Sequence, residues 1–371
     1  MISKNNQKPI IVINILFRKL FYVHFWQLNG MKKQLKCTSV ISELDRFIRV
    51  SISGRRRKPD GHRLTAGTIE TYKNFRKIFC AFSDKTIEPV IFTGFRVTKP
   101  IFRERSHYWK RVLQNFTDYL RSCHYSDNYI WNNLKIFRAL LRYLGEQFGW
   151  PDTNFAVFKL PRLSQPIPIT LSLEQIQELI KEKFEENLKG RKLAEVRDKI
   201  VMGSIAALRY SDLISLQWQN IVEMRGKSWL EYQSKKTGTQ TRLLLPNCLI
   251  ESMRKNRKRG IRTLFPRISN VNLNKQIKRL GRYMNWDDTT PVYKTNNGQL
   301  KLDRMGKFHE LLTTHTMRRT GISLMLQLGM PENVVWRISG HAPNSKEFYR
   351  YLKIAQSWQD EECEKVHKLL Y

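Results

Sequence analysis

The sequence predicts a mainly α protein with one small β-hairpin, built as two helical domains joined by a stiff linker. Three observations predict it. Apolar residues recur at three- and four-residue steps through residues 65–150, and the pattern is helical again from residue 307 to the end. The convincing strand signal is confined to Ser228–Pro246, where SWLEYQS and TRLLLP flank a Lys-Lys-Thr-Gly turn. Residues 157–170, VFKLPRLSQPIPIT, hold three prolines and no helical period, so they read as the linker.

At 371 residues the chain can form two or three cores, and its 41% hydrophobic content is that of a globular protein. A formal net charge of +34, with basic residues in excess in both halves, points to a polyanion gripped by more than one domain. Nucleic acid is the partner this charge implies. Five cysteines lie far apart with no C-x-x-C, which argues against a zinc or redox motif. They read as reduced core thiols of a cytoplasmic protein.

Taken in order, residues 1–64 are expected to be an N-terminal extension and basic linker. Residues 10–28 are apolar enough to suggest a signal or a membrane anchor, but Arg18, Lys19 and His24 interrupt them. A charged centre is costly in a bilayer, and no small-residue cleavage site follows, so no membrane role is expected. Met31 opens a more ordinary start, MKKQLKC, and residues 1–30 are expected to lie upstream of the folded core. Residues 31–50 form a short basic amphipathic lead. Gly54 to Gly61, GRRRKPDG, is a breaker-rich loop with four consecutive cations, either solvated or in contact with phosphate.

Residues 65–156 are expected to fold as an all-helical domain. Tyr72, Phe75, Phe79 and Phe82 mark one apolar stripe, from a start near Thr68. Trp109, Val112, Leu113, Phe116 and Leu120 mark a second, and Ile130, Leu134, Phe137, Leu141, Leu144 and Phe148 a third. Arg111, Lys135, Arg138 and Arg142 fall off those stripes, which leaves a basic outer face. The aromatics are read as core rather than as base-stacking platforms.

The second domain is expected over residues 171–371. Ser172 is a good N-cap and Gln175 completes a capping box. Residues 193–219 read as a second helix followed by a turn. The Ser228–Pro246 hairpin comes next, and Asn296-Asn297-Gly298 suggests a short second hairpin over residues 291–300.

Within this second domain lie the residues that carry chemistry. Cleaving a phosphodiester with a side-chain hydroxyl needs an in-line nucleophile, cations for the charge that builds on the non-bridging oxygens, and a proton for the departing 5′ oxygen. Arginine suits the second task, since its planar fork donates two bonds to phosphate and keeps its charge. Such a set is present. Ala206-Ala207-Leu208-Arg209-Tyr210-Ser211-Asp212-Leu213 resembles the G-L-R-x-S-E-L box of the tyrosine recombinases, the phage-integrase family. His315-Thr316-Met317-Arg318-Arg319-Thr320 resembles its H-x-L-R-H/R-T box, and Ile338-Ser339-Gly340-His341 its L-G-H box. Lys236-Thr237-Gly238 resembles its β-hairpin lysine, and Tyr351-Leu352-Lys353-Ile354 the Y-x-K-I tail of Bacteroidetes-type integrases. The likeness covers roughly residues 65–360.

The resemblance implies a two-domain DNA clamp, with a helical core-binding (SAM-like) domain and a tyrosine-recombinase catalytic domain. It implies that Arg209 and Arg318 clamp the phosphate, that Lys236 is the general acid (Lys235 is adjacent), and that His315 moves or orients a proton. By the same resemblance His341 bonds a non-bridging oxygen and Tyr351 is the nucleophile. Tyr351 lies ten residues past His341 and Tyr349 eight, against a usual nine; the Y-x-K-I ending selects Tyr351, and Pro343-Asn344 absorbs the extra residue. Asp212, in place of Glu, keeps a carboxylate to orient Arg209. The implied reaction uses neither metal nor nucleotide cofactor. Its implied partners are double-stranded DNA, a homo-tetramer on that DNA and an accessory DNA-bending protein, in the cytoplasm at the nucleoid. Two other readings share some of these residues: a type IB topoisomerase, and a decayed integrase that binds DNA without cutting it.

Overall fold

The computed structural model describes residues 37–86, 89–93, 99–148, 168–255, 257, 260–342, 345 and 348–370. The expected extension over residues 1–30, most of the linker at 157–170 and the Pro343-Asn344 pair lie outside them. The chain divides between Leu163 and Ser164 into two compact units.

The first unit is helical, with a two-stranded antiparallel ribbon, β1 (Cys37–Ser39) and β2 (Ile91–Thr93). Its helices are α1 (Val40–Ile52), α2 (Ala66–Ser83), α3 (Lys99–Ser122) and α4 (Asp127–Phe148). Ser39 and Thr65 cap α1 and α2, each side chain accepting from the backbone N–H three residues on. The three aromatic and aliphatic stripes converge. Trp109, Phe75, Phe79, Phe116 and Phe137 are each 1% exposed, and Phe79 stacks on Phe137 with centroids 5.6 Å apart. Rings so enclosed cannot stack on bases; they are core, each contributing about 2–3 kcal/mol by burial. Helix α1 belongs to the same core, since Val40, Leu44 and Phe47 are fully buried within it. The expected domain start at residue 65 therefore leaves out a helix that the core requires. The four-cation loop is folded: Lys58 N–H bonds His62 O at 2.9 Å and Arg57 bridges Arg63. One of its cations is structural, because the Arg56 guanidinium lies 4.4 Å over the Phe47 ring and donates to the Tyr72 hydroxyl.

The second unit opens with α5 (Leu173–Lys181), held by the expected Ser172–Gln175 capping box, and α6 (Leu188–Ile205). Helix α6 stops well short of residue 219. Leu208 N–H bonds Gly203 O and Ala207 N–H bonds Ser204 O, with Ala207 left-handed at φ +47°. These are the bonds of a Schellman stop, with alanine where glycine is favoured. A one-turn helix α7 (Tyr210–Leu213) follows. Strands β3 (Ile221–Met224), β4 (Lys227–Gln233) and β5 (Gln240–Leu245) form an antiparallel sheet, the last two being the expected hairpin. After α8 (Asn247–Lys255) and α9 (Asn270–Tyr283), β6 (Thr289–Asn296) and β7 (Gln299–Lys307) make a longer ribbon than the ten residues expected. Its Asn297-Gly298 turn has φ values of +54° and +77°, the type I′ geometry that this pair favours. The chain ends in α10 (Phe308–Leu311), α11 (Thr314–Gln327), α12 (Glu332–Ser339) and α13 (Tyr349–Leu370).

Helices α6 and α11 touch through glycine. A Cβ built on Gly321 would lie 1.9 Å from Ser204 O, and one on Gly203 would lie 2.9 Å from Met317 Sδ. This approach sets where the turn after α6 meets α11. The cysteines differ from expectation: Cys80 and Cys123 are half-buried and Cys248 and Cys363 exposed, all as free thiols outside the core, with Cys123 in the turn after α3 and the others on helices. Among the described residues no helix is long and apolar enough to cross a membrane.

Candidate active site

The Schellman stop of α6 turns the chain so that Arg209 caps α7 and points back over the sheet. Its Nη1 donates to Ser234 Oγ at 3.3 Å and its Nη2 to Gly340 O at 3.3 Å. Asp212, 2% exposed, accepts from Ser234 Oγ at 3.1 Å and from Lys235 N–H at 3.0 Å. The carboxylate thus reaches Arg209 through Ser234, and it also pins the tip of the β4–β5 hairpin. Sequence spacing had pointed to Asp212 but not to Ser234, whose role depends on a contact 22 residues away.

His315 and Arg318 lie three residues apart on α11 and so share a face. Arg318 is 6% exposed. Its Nη1 donates to Ala207 O at 2.8 Å and its Nη2 to Ser339 O at 2.6 Å, so it ties the α6 turn to the end of α12. Burial, with Arg209 nearby, pulls its pKa down to about 10, which leaves it charged at neutral pH. At the end of α12, Gly340 is left-handed at φ +61°, and this bend returns His341 to Arg318, whose Nη2 is 3.2 Å from His341 Nε2. A Cβ on Gly340 would meet Thr237 Oγ1 of the hairpin tip at 3.2 Å, so the tip closes directly over this turn.

Lys236 is exposed at that tip. Its charge is among those that depress both histidines. Desolvation first, then Arg318, Arg209 and Lys236, push His341 down to about 4. His315 is lowered by desolvation and then by Arg319, Arg318, Lys236 and Arg209. The Tyr351 ring is 6.2 Å from the His341 ring and packs against the small apolar cluster that includes Phe348. Its phenol is within electrostatic reach of Arg318. Tyr349, two residues away on α13, is 47% exposed and points elsewhere. All six residues singled out in the sequence are therefore brought to one place. Tyr232, half-buried on β4 with its phenol raised by burial, adds a further hydroxyl beside Arg318 and Arg209 that no motif signalled. Among the described residues no group of His, Cys, Asp or Glu is arranged to hold a metal ion.

The depressed histidine gives a prediction. Between its folded pKa of about 4 and the unfolded value of about 6.5, the unfolded chain binds the proton that the fold refuses. The stabilisation is thus complete above pH 6.5 and is lost as pH falls toward 4, with His315 acting in the same direction. After allowance for solvent screening of the half-exposed ring, His341 contributes about 2 kcal/mol. Urea unfolding at pH 7 and pH 4.5 should show a smaller loss for His341→Asn than for the unsubstituted protein; equal losses would refute the assignment.

A cluster of two arginines, two histidines and a lysine with a tyrosine beside it is the arrangement expected of a tyrosine recombinase. Residues 170–357, just over half of the chain, match the Phage integrase family, and the chain belongs to that family. No curated protein matches it. Several solved structures share the fold. The XerH site-specific recombinase bound to palindromic difH substrate, in a post-cleavage complex, aligns with a TM-score of 0.56 at 16% identity, over 88% of this chain and 84% of that one. A lambda integrase dimer bound to a COC′ core site aligns at 0.54 and 14% identity, over 91% and 86%. The Tn1549 transposon integrase in complex with transposon right end DNA aligns at 0.53 and 14% identity, over 89% and 100%.

Proposed function

We propose that this recombinase is a site-specific integrase that cuts and rejoins duplex DNA through a 3′-phosphotyrosyl intermediate. The observation that carries the reading is the placement of Tyr351 beside His341 and the buried Arg318 guanidinium, with Arg209 completing the clamp. The Tyr351 oxygen attacks phosphorus, forming the O–P bond of the protein–DNA ester and losing its proton to solvent, directly or by way of His315. The P–O5′ bond breaks, and Lys236 protonates the leaving 5′ oxygen. Arg209 and Arg318 hold the non-bridging oxygens, with His341 bonded to one, and His315 orients or relays a proton. A second strand's 5′ hydroxyl then attacks the phosphotyrosine and releases the enzyme. The bond energy is kept in the ester, so the cycle consumes no ATP.

Double-stranded DNA is the substrate, consistent with the net charge of +34 and with the DNA bound by the structural neighbours. In this reading the helical unit is the core-binding domain, beginning at α1 rather than at residue 65, and residues 171–371 are the catalytic domain. Exchange between two duplexes takes four active sites, hence a tetramer on DNA, with an accessory bending protein where the site requires one, at the nucleoid. Helix α13 supports assembly. Its Val366 and Leu370 are 55% and 72% exposed, as suits a segment that docks on a neighbouring protomer. An apolar groove of about 490 Å³ lined by Leu173, Ile176, Ile180, Leu324 and Leu328 on the same unit is a fitting acceptor.

The test is trapping on a nicked duplex whose site has been selected from random sequence by the Tyr351→Phe protein. A denaturant-stable adduct on the 3′ phosphate supports the reading; tight binding with no adduct refutes it. The lysine has its own test. Lys236→Ala should slow cleavage by about 100- to 10,000-fold, the scale of a lost general acid. A bridging 5′ sulfur leaves without a proton, so such a substrate should restore most of the rate to Lys236→Ala and not to Arg318→Ala. Failure of the sulfur to restore it would remove Lys236 from the role, and restoration in Lys235→Ala instead would transfer it.

A further inference from the structure

Ser339 occupies the position at which the family's L-G-H box carries leucine, and its side chain is 2% exposed against the ring of His341. We propose that Ser339 is a positioning residue for His341, and that its hydroxyl selects which ring nitrogen carries the proton. The inference rests on the phosphoryl-transfer reading of the site given above.

The argument starts from the single proton of a hydroxyl. Ser339 Oγ lies 2.7 Å from Val335 O, and a carbonyl only accepts, so the hydroxyl proton is donated there. Toward His341 Nδ1, 2.8 Å away, Oγ must then accept, which places the ring proton on Nδ1. Nε2 is left bare and accepts from Arg318 Nη2 at 3.2 Å. In the free protein His341 is therefore a neutral ring whose Nε2 offers a lone pair. That polarity is wrong for a phosphate oxygen, which needs a donor.

A neutral ring that donates from Nε2 has a bare Nδ1, and a bare nitrogen in this half-buried place is stabilised by a donor. Two groups lie close enough to donate to Nδ1. Arg318 Nη2, at 3.4 Å, gives one proton to Ser339 O at 2.6 Å, and in the bound state its other proton faces phosphate. Ser339 Oγ has only to rotate its O–H away from Val335 O, with no heavy atom moving. When phosphate arrives, the ring proton passes through solvent from Nδ1 to Nε2, Ser339 turns to donate to Nδ1, and Nε2–H bonds the non-bridging oxygen. Leucine or alanine at this position offers no such reversal. The Arg318 clamp uses the Ser339 carbonyl, so removing the side-chain hydroxyl leaves the clamp in place.

The test combines nitrogen NMR with kinetics. In protein carrying 15N-histidine, with His341 assigned by the His341→Asn variant, the free protein should show the proton on Nδ1. In Tyr351→Phe bound to its selected duplex it should move to Nε2, and in free Ser339→Ala, where no hydroxyl faces Nδ1, the preference for Nδ1 should be lost. On the nicked duplex, Ser339→Ala should form adduct about 10-fold more slowly at unchanged DNA affinity, the scale of one hydrogen bond. Ser339→Thr should recover the rate. On a His341→Ala background, Ser339→Ala should cause no further loss, whereas a merely structural serine would cost the same in both. A proton found on Nε2 in the free protein, or equal losses in the two backgrounds, would overturn the proposal. Adduct formed by Ser339→Ala at the unsubstituted rate would overturn it alone. No adduct from the unsubstituted protein would overturn the integrase reading and this inference together.

Discussion

Tyr351→Phe is expected to abolish the covalent protein–DNA adduct, by at least about 10,000-fold as for the loss of any enzymic nucleophile, while DNA binding persists. Tyr349→Phe is expected to cut within about twofold of the unsubstituted rate, as for an exposed side chain outside the reacting group. The contrast follows from position on α13. Residues two apart on a helix project in very different directions. Tyr351 is the one that faces inward, with its ring 6.2 Å from His341 and its body packed against the apolar cluster of Phe348 and its neighbours. Tyr349 is 47% exposed. Electrophoresis of trapped adducts under denaturing conditions decides the matter. Loss of adduct in Tyr349→Phe and not in Tyr351→Phe would move the nucleophile and leave the mechanism standing.

The second large effect is expected far from any reacting atom. Gly321→Ala should destabilise the catalytic unit by about 3 kcal/mol or more, at the top of the range for overpacking. The new methyl would fall 1.9 Å from Ser204 O and 3.2 Å from Ala207 Cα, both backbone atoms that cannot swing aside. To admit it, α6 and α11 must separate. Arg318 would then lose its 2.8 Å bond to Ala207 O, and the two arginines would no longer share one phosphate. The expected outcome is a lower urea midpoint together with cleavage reduced even at temperatures where the variant is folded. A variant with unchanged midpoint and full activity would show that the helices are not held in contact.

Much of this was legible in the sequence because it is local. Hydrophobic period, caps and turn chemistry act over a few residues. They placed the stripes of α2 to α4, the Ser172–Gln175 box, the Lys236 hairpin and the Asn297-Gly298 turn. The order Arg209, Lys236, His315, Arg318, His341, Tyr351 pointed to the chemistry proposed here, since few reactions ask for two arginines, two histidines, a lysine and a tyrosine together. Where local signals misled, a longer-range contact had overridden them. Helix α1 reads as a basic lead until Leu44 and Phe47 are seen in the aromatic core. Within the helix and turn read over residues 193–219, the left-handed Ala207 sets where the helix ends.

The sequence by itself determined the helical class, the two-part organisation, the basic character and the set of reacting groups, because each depends on residue type and short spacing. Only the tertiary structure decided that Asp212 reaches Arg209 through Ser234 and that Arg318 ties Ala207 to Ser339. Those are contacts between segments tens to more than a hundred residues apart, made where the Gly321 approach, the Ala207 turn and the Gly340 turn meet. Spacing along a chain carries no record of such meetings. They follow from how the whole unit excludes water and pairs its buried polar groups, and that is settled only when every element is in place.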